Sequence, residues 1–526
     1  MSLAMLGIVA ALVLMTFQDY GLSWDEEGLD QYGRLLLSWY TSGFKDRSAF
    51  GFANLYYYGG GFSLLANICN YVSPFGQYET RHLLGGIIGL IGLAGTWRLG
   101  RRLGGPRTGF LAVLILALAP RYYGHMFINH KDLPFGVGMV WTTLFLTRVI
   151  TEFPRLTAGT IAGLGLAGGL TLGTRINGLI FFGYLAPPLF LWFITRRSKP
   201  AGSGLPWKDL GRGLLALLPA GLIMYLVMGL IWPWAWQGLW NPILALTMFS
   251  RFPFDGQVLF NGQLYPAQNL PGSYLPAYLA ISQPEPFLIG LGLGLAWLVW
   301  KIRREPSSLG RPEAWVWLVA ILAALVPLVY CVLMRPPLYN GIRHFLFILP
   351  PLSVLAGAGF DRLLALVSGR GRLLVVGLMA ALFFWTAAIM VELHPYQYVY
   401  HNTLTGGVKG AEGRYELDYW GTSLAEATRR LTAALNLDGA TAGRPWSVYV
   451  CGPALAAAYY FPSFLTLTAG RETADFEAYL AQFYCRPRSK GRRLVEVRRL
   501  GALLSAVDDY RPVRAGQVNT IYPARP

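Results

Sequence analysis

Eleven apolar runs separated by polar turns fill the first three quarters of the chain. They fall near residues 1–17, 82–100, 108–126, 133–151, 156–173, 176–195, 213–232, 286–301, 314–333, 344–362 and 373–392. A bilayer core about 30 Å thick takes roughly 20 apolar residues of helix to cross, so each run predicts one transmembrane helix. The first has no basic n-region or A-x-A site, and it is taken as a true helix rather than a cleaved leader. Two intervening stretches, 18–81 and 233–285, are too long to be plain connectors. Both are rich in aromatics, Gly and Pro, as in Leu55-Tyr-Tyr-Tyr58 and Trp232-Pro-Trp-Ala-Trp236, and are expected in the membrane interface.

Beyond His394 the pattern turns polar. Ser423-Leu-Ala-Glu426 has the form of a capping box opening a helix through Leu437. Short β-like runs follow at 446–450, 464–467 and 494–497, with a helix expected between Thr473 and Phe483. The fold class is therefore a polytopic α-helical membrane protein of about eleven spans, residues 1–392, with a small extracytoplasmic α/β domain over 393–526. Gly163-Leu-Gly-Leu-Ala-Gly-Gly169 and Gly290-Leu-Gly-Leu-Gly294 supply small faces for helix packing.

Composition agrees with the bilayer as solvent: of 526 residues 54% are hydrophobic and 13% charged, with a mean hydropathy of +0.41. The net charge of +17 could suggest nucleic acid, but most basic residues follow apolar runs instead of forming one patch, and nucleic-acid binding is set aside. Sorted by alternate loops, Arg98, Arg101, Arg102, Arg148, Arg196, Arg197, Lys301, Arg303, Arg304, Arg362 and Arg370 share one side with others. That side is expected in the cytoplasm together with the N-terminus, which puts the tail on the periplasmic or extracellular side of a cell (inner) membrane. Four cysteines show no metal spacing; Cys451 and Cys485 in the tail either pair or stay free.

Chemistry concentrates at the outer turns. Trp24-Asp-Glu-Glu27 sets three acids near headgroups that repel anions, either for a purpose or as a solvated loop start. Asn129-His-Lys-Asp132, with His125 before it and Pro134 after it, crowds ionisable groups between two apolar runs, although Lys131 and Asp132 could simply pair. Arg81-His82, Arg175, Arg335 and Arg343-His344 stand at other outer helix ends, where snorkelling anchors are the plain alternative. Together, acids at two turns and cations at several suit a phosphate-bearing lipid whose headgroup reacts at the interface.

These motifs resemble the multi-pass GT-C glycosyltransferases of the protein O-mannosyltransferase superfamily, which includes the lipid A aminoarabinose transferases. The likeness rests on Trp24-Asp-Glu26, Arg81-His-Leu-Leu-Gly85, Pro120-Arg-Tyr-Tyr-Gly-His125 with Asn129-His-Lys-Asp-Leu-Pro134, and Gly341-Ile-Arg-His344 leading into Leu349-Pro-Pro351. His394-Pro-Tyr396, Tyr400-His-Asn402 and Asp418-Tyr-Trp-Gly421 are similar to a bacterial branch. The resemblance implies an inverting enzyme that moves a hexose or pentose from a polyprenyl-monophosphate carrier to an envelope lipid, glycan or protein. It implies catalytic roles for Asp25, its acidic neighbour Glu26 and the second acidic position Asp132, and a phosphate contact at Arg81. Lys131 and Arg343 join as phosphate contacts by their placement. No cofactor is expected; a divalent metal on Asp25, Glu26 and Asp132 is the lesser alternative. The competing function is a transporter or flippase of lipid-linked precursors, which should place ionisable groups at the bilayer midplane and show inverted repeats.

Overall fold

The computed structural model describes residues 1–197, 206–250, 254–437, 445–489 and 491–511. The membrane part runs α1 (Ser2–Thr16), α2 (Glu26–Thr41), α3 (Gly61–Asn70), α4 (Gln77–Gly104), α5 (Pro106–Ala117), α6 (Pro120–Ile128), α7 (Asp132–Glu152), α8 (Ala158–Thr174), α9 (Ile180–Arg197), α10 (Pro206–Ile231) and α11 (Asn241–Ser250). It continues with a hairpin of β1 (Gln257–Phe260) and β2 (Gln263–Pro266), then α12 (Tyr274–Ser282), α13 (Glu285–Arg304), α14 (Pro312–Met334), α15 (Leu349–Leu366) and α16 (Gly369–Leu393).

Each expected apolar run falls on a helical segment, but not every segment is a full crossing. Among the described residues eight helices are long and apolar enough to span a bilayer, and α5 with α6, bent by 64° at their break, makes up to nine. Pro120, lacking an N–H, opens α6 at that break. The runs expected at 1–17 and 156–173 appear as the shorter helices α1 and α8, of 15 and 17 residues, so length and composition do not establish the expected count of eleven.

Small residues bring helices together where apolar burial between them gains little against lipid. A Cβ added at Gly165 or Gly169 of α8 would stand 2.6 Å from Ile223 or Val227 of α10. Gly163, Gly165 and Gly168 also spell the G-x-G-x-x-G of dinucleotide sites, but they lie inside a helix and face Phe145 and α10, so their role is packing. Gly290 of α13 meets Phe360 of α15 in the same way, and α15 is buried throughout its first three turns. The last turns of α4, α9 and α13 carry Arg101 and Arg102, Arg196 and Arg197, and Lys301, Arg303 and Arg304.

After α16 the chain does not leave the bundle at once. Residues 394–422, including the short α17 (Gly407–Ala411), are largely buried against it; Asn402 Nδ2 donates to the carbonyls of Ala280 and Gln283 at 2.7 and 2.8 Å. Then come α18 (Ser423–Leu437), β3 (Trp446–Cys451), α19 (Ala454–Ala458), β4 (Leu465–Leu467), β5 (Phe476–Leu480), β6 (Arg492–Arg499) and β7 (Ala502–Asp509). The sheet order is β4-β3-β5-β7-β6, with β3 parallel to β4 and β5, and β7 antiparallel to β5 and β6. The α18 helix and the three expected strands stand where the sequence placed them. The helix expected between Thr473 and Phe483 is instead the central strand β5, buried on both faces. Its buried Glu477 is paired with Arg471 and Arg488. The expected capping box does not form: Ser423 N–H donates to Asp418 Oδ2 at 3.0 Å, and Glu426 turns to Arg499 and Tyr396 at 2.7 and 2.8 Å. Cys451 and Cys485 form a disulfide, which decides between the two sequence alternatives, while Cys69 and Cys331 are free thiols.

Candidate active site

Opposite the arginine-rich helix ends, three turns of the bundle converge. Asp25 stands at the start of α2, with 29% of its side chain exposed. Lys131, from the turn between α6 and α7, puts Nζ 3.1 Å from Asp25 Oδ2, and Arg343, from the turn before α15, puts Nη1 3.7 Å from the same oxygen. Burial alone would raise the Asp25 carboxyl; Lys131 first and Arg343 next outweigh it and hold the group below its ordinary value, against a small push from Asp132.

Asp132 opens α7 on the other side of Lys131. It pairs with Arg175, takes Asn129 Nδ2 at 3.0 Å, and its own N–H donates to Asn129 Oδ1 at 2.9 Å. Tyr58 lies beneath both cations, with Lys131 Nζ at 5.2 Å and the Arg175 guanidinium at 5.3 Å from its ring centre. The Arg343 guanidinium packs on the rings of Tyr339, at 4.6 Å, and Trp420, at 5.2 Å. Three cations, Lys131, Arg175 and Arg343, thus face two carboxylates, Asp25 and Asp132, leaving one positive charge in excess at the site. Glu416 borders the site; burial pushes its carboxyl up to about 7 although Asn340 N–H donates to it at 3.2 Å.

Two of the expected site residues do not join this cluster. Glu26 follows Asp25 by one helical position and points inward, fully buried, with Oε1 3.1 Å from His82 Nε2 and 3.5 Å from His130 Nδ1, while Ser23 N–H donates to Oε2 at 2.7 Å. Adjacent helical residues project about 100° apart, so only one of the pair can face the site. Arg81 is also fully buried; it lies 3.5 Å from Asp30, donates to Ser63 Oγ at 3.3 Å and packs on Phe62. These residues brace α2 and α3 against α4. In the sequence Arg175 and His344 stood out only as basic residues at outer helix ends, Tyr58 only as part of the aromatic run Tyr56-Tyr-Tyr58, and Tyr339 carried no signal.

Cavities flank α7 on two sides. One of about 380 Å³ joins Arg175, Asn177, His344 and Tyr339 to an apolar wall of Phe135, Leu246, Phe249 and Phe347. The other, about 760 Å³, is almost wholly apolar, lined by Phe62, Ile88, Pro134, Trp141 and Leu166 among others. Among the described residues no group of three His, Cys, Asp or Glu side chains is arranged to hold a metal ion; Asp25 and Asp132 meet cations of the protein instead.

Residues 75–225 match the model of the dolichyl-phosphate-mannose-protein mannosyltransferase family. Among solved structures, the chain is similar to ArnT from Cupriavidus metallidurans in the apo state, with a TM-score of 0.52 at 13% identity over 96% of each chain. It is similar to the same protein bound to undecaprenyl phosphate at 0.50 and 15% identity, over 96% of this chain and 97% of that one. This is the GT-C fold. The apo oligosaccharyltransferase of Archaeoglobus fulgidus matches with a TM-score of 0.46 at 12% identity, over 90% of this chain and 65% of that one. No curated protein sequence matches significantly. Within the GT-C fold of this chain the family match covers α4 to α9 and most of α10, and so takes in Lys131, Asp132 and Arg175; Asp25 and Arg343 lie outside it.

Proposed function

We propose that the chain is an inverting glycosyltransferase that moves a sugar from a polyprenyl-monophosphate carrier to an envelope acceptor, with Asp25 as the base. The observation that carries this reading is the partly exposed Asp25 carboxylate held between Lys131 and Arg343. The acceptor hydroxyl attacks the anomeric carbon as its proton passes to Asp25, the bond from that carbon to the phosphate oxygen breaks, and the carrier phosphate leaves with the electron pair. Lys131, Arg343 and Arg175 steady the charge that grows on the leaving phosphate.

A carboxylate gripped by two cations is a weak base. An incoming phosphate competes for those cations, and Asp25 regains basicity when Lys131 and Arg343 turn toward the donor. The 380 Å³ cavity, polar at Arg175 and His344 and apolar beyond, suits a phosphate followed by a hydrocarbon chain. The structure of ArnT with undecaprenyl phosphate, which shares the fold, supports that class of ligand. Basic residues at the far ends of α4, α9 and α13 support a cytoplasmic placement for that end and the opposite face for the site.

The test is transfer by the protein in lipid nanodiscs, supplied with radiolabelled hexosyl and pentosyl polyprenyl phosphates and extracted envelope acceptors. Label passing to an acceptor from one donor class supports the reading and names the sugar. Label moving across the bilayer of sealed vesicles without transfer would replace the enzyme with a transporter.

A further inference from the structure

One link between the tail and the bundle bears directly on Asp25. Trp24 N–H donates to the carbonyl of Trp420 at 3.0 Å, so the acidic loop is tied by its backbone to the first part of the tail. The indole of the same Trp420, 3% exposed, packs against the Arg343 guanidinium at 5.2 Å. One residue therefore grips both members of the Asp25–Arg343 pair, the loop of one by its carbonyl and the guanidinium of the other by its ring.

The turn that presents Trp420 is itself over-determined. Asp418 Oδ1 accepts the N–H groups of Gly421 at 2.8 Å and Thr422 at 3.2 Å, Oδ2 accepts that of Ser423, and the Tyr398 hydroxyl also donates to Oδ1. Gly421 has φ +73°, where a side chain would be strained and would meet Pro453. The Tyr419 hydroxyl is 3.0 Å from His125 Nε2, and the His125 ring stands edge-on to Trp420 at 5.2 Å. Gly21 packs without a Cβ on the Thr422 carbonyl, which closes the contact between loop and tail.

We infer that Trp420 is a positioning residue for the proposed transfer: its carbonyl and its ring set the separation of Asp25 and Arg343. The tail domain thereby takes part in setting the site. A planar guanidinium stacks on an indole without giving up its hydrogen-bonding edge, so Arg343 is fixed there yet free to turn to a phosphate. The charged groups facing Asp25 are Lys131 from the α6–α7 turn, Arg343 from the turn before α15 and, more distantly, Asp132 of α7. When Trp420 is lost, Arg343 drifts from Asp25 while Lys131 and Asp132 stay, and the carboxyl becomes easier to protonate.

This inference rests on the function proposed above for its kinetic consequence, so two readouts separate them. The first needs no transfer: carbodiimide labelling of Asp25 against pH on the whole protein in nanodiscs, located by mass spectrometry. The labelling midpoint in Trp420→Leu is expected about half a pH unit above wild type, with Trp420→Phe close to wild type. The second is the pH profile of kcat/KM, in which Trp420→Leu loses about tenfold and its acid limb moves up in step, with most of the loss recovered in Trp420→Phe. A merely structural role would lower the folded fraction in both variants and move neither midpoint nor limb. An unshifted Asp25 midpoint in folded Trp420→Leu overturns the inference whatever the kinetics. A shifted midpoint in a protein that transfers no sugar sustains the positioning and removes the proposed function.

Discussion

Lys131 Nζ stands 3.1 Å from Oδ2 of Asp25 and is the nearer of the two cations on that oxygen. In the proposed reaction it passes from the base to the departing phosphate, so it matters both before and during transfer. Lys131→Gln is expected to slow transfer about a hundredfold with the fold intact, measured by single-turnover kinetics at matched expression.

The same exchange of partners sets the pH dependence. With Asp25 held below its ordinary value in the free protein, kcat/KM should stay high until the medium is well acidic and fall as the carboxylate takes a proton. Once the donor has drawn Lys131 and Arg343 away, the carboxylate is more basic, and the acid limb of kcat should lie at higher pH than that of kcat/KM. Lys131→Gln should raise the limb of kcat/KM toward that of kcat. Coincident limbs in wild type would contradict the exchange.

Asp132 and Arg175 form the other ion pair, with 4% and 15% of their side chains exposed. Removing one partner leaves a charge with poor solvation, at a cost of about 3 kcal/mol. Asp132→Asn and Arg175→Gln should each lower the thermal midpoint in nanodiscs, and the double variant should lose less than the two losses added.

Much of the site was legible in the sequence because its residues sit in turns between apolar runs, where ionisable side chains stand out, although each also had a bland reading as a loop start, a local pair or a snorkelling anchor. Asp25, Lys131, Asp132 and Arg343 were all visible there, and the structure brings them together. Glu26 and Arg81 looked equivalent, yet they face inward to His82, His130 and Asp30, because which face of a helix start is buried depends on the helices packed against it. Trp420 was readable only as part of a motif, since its contacts with Trp24 and Arg343 join segments far apart in the chain. The tail sheet was half legible. In β5 the strand is covered on both faces, so the alternation that marks a half-buried strand is missing, and β7 went unrecognised as its partner.

The disulfide between Cys451 and Cys485 joins the end of β3 to the segment after β5. Its loss to Ser at both positions should destabilise the tail by about 3 kcal/mol, seen as a lower unfolding midpoint for the sheet by hydrogen exchange. Non-reducing peptide mapping should recover the linked pair from membranes, in agreement with a tail on the oxidising side.

The most direct test of the account is the Asp25→Asn variant, nearly isosteric and unable to accept the proton, compared with wild type in single-turnover sugar transfer at matched folding. A loss of at least about a hundredfold, with polyprenyl-phosphate binding kept, is the predicted result. Transfer at the wild-type rate would contradict it and remove Asp25 as the base.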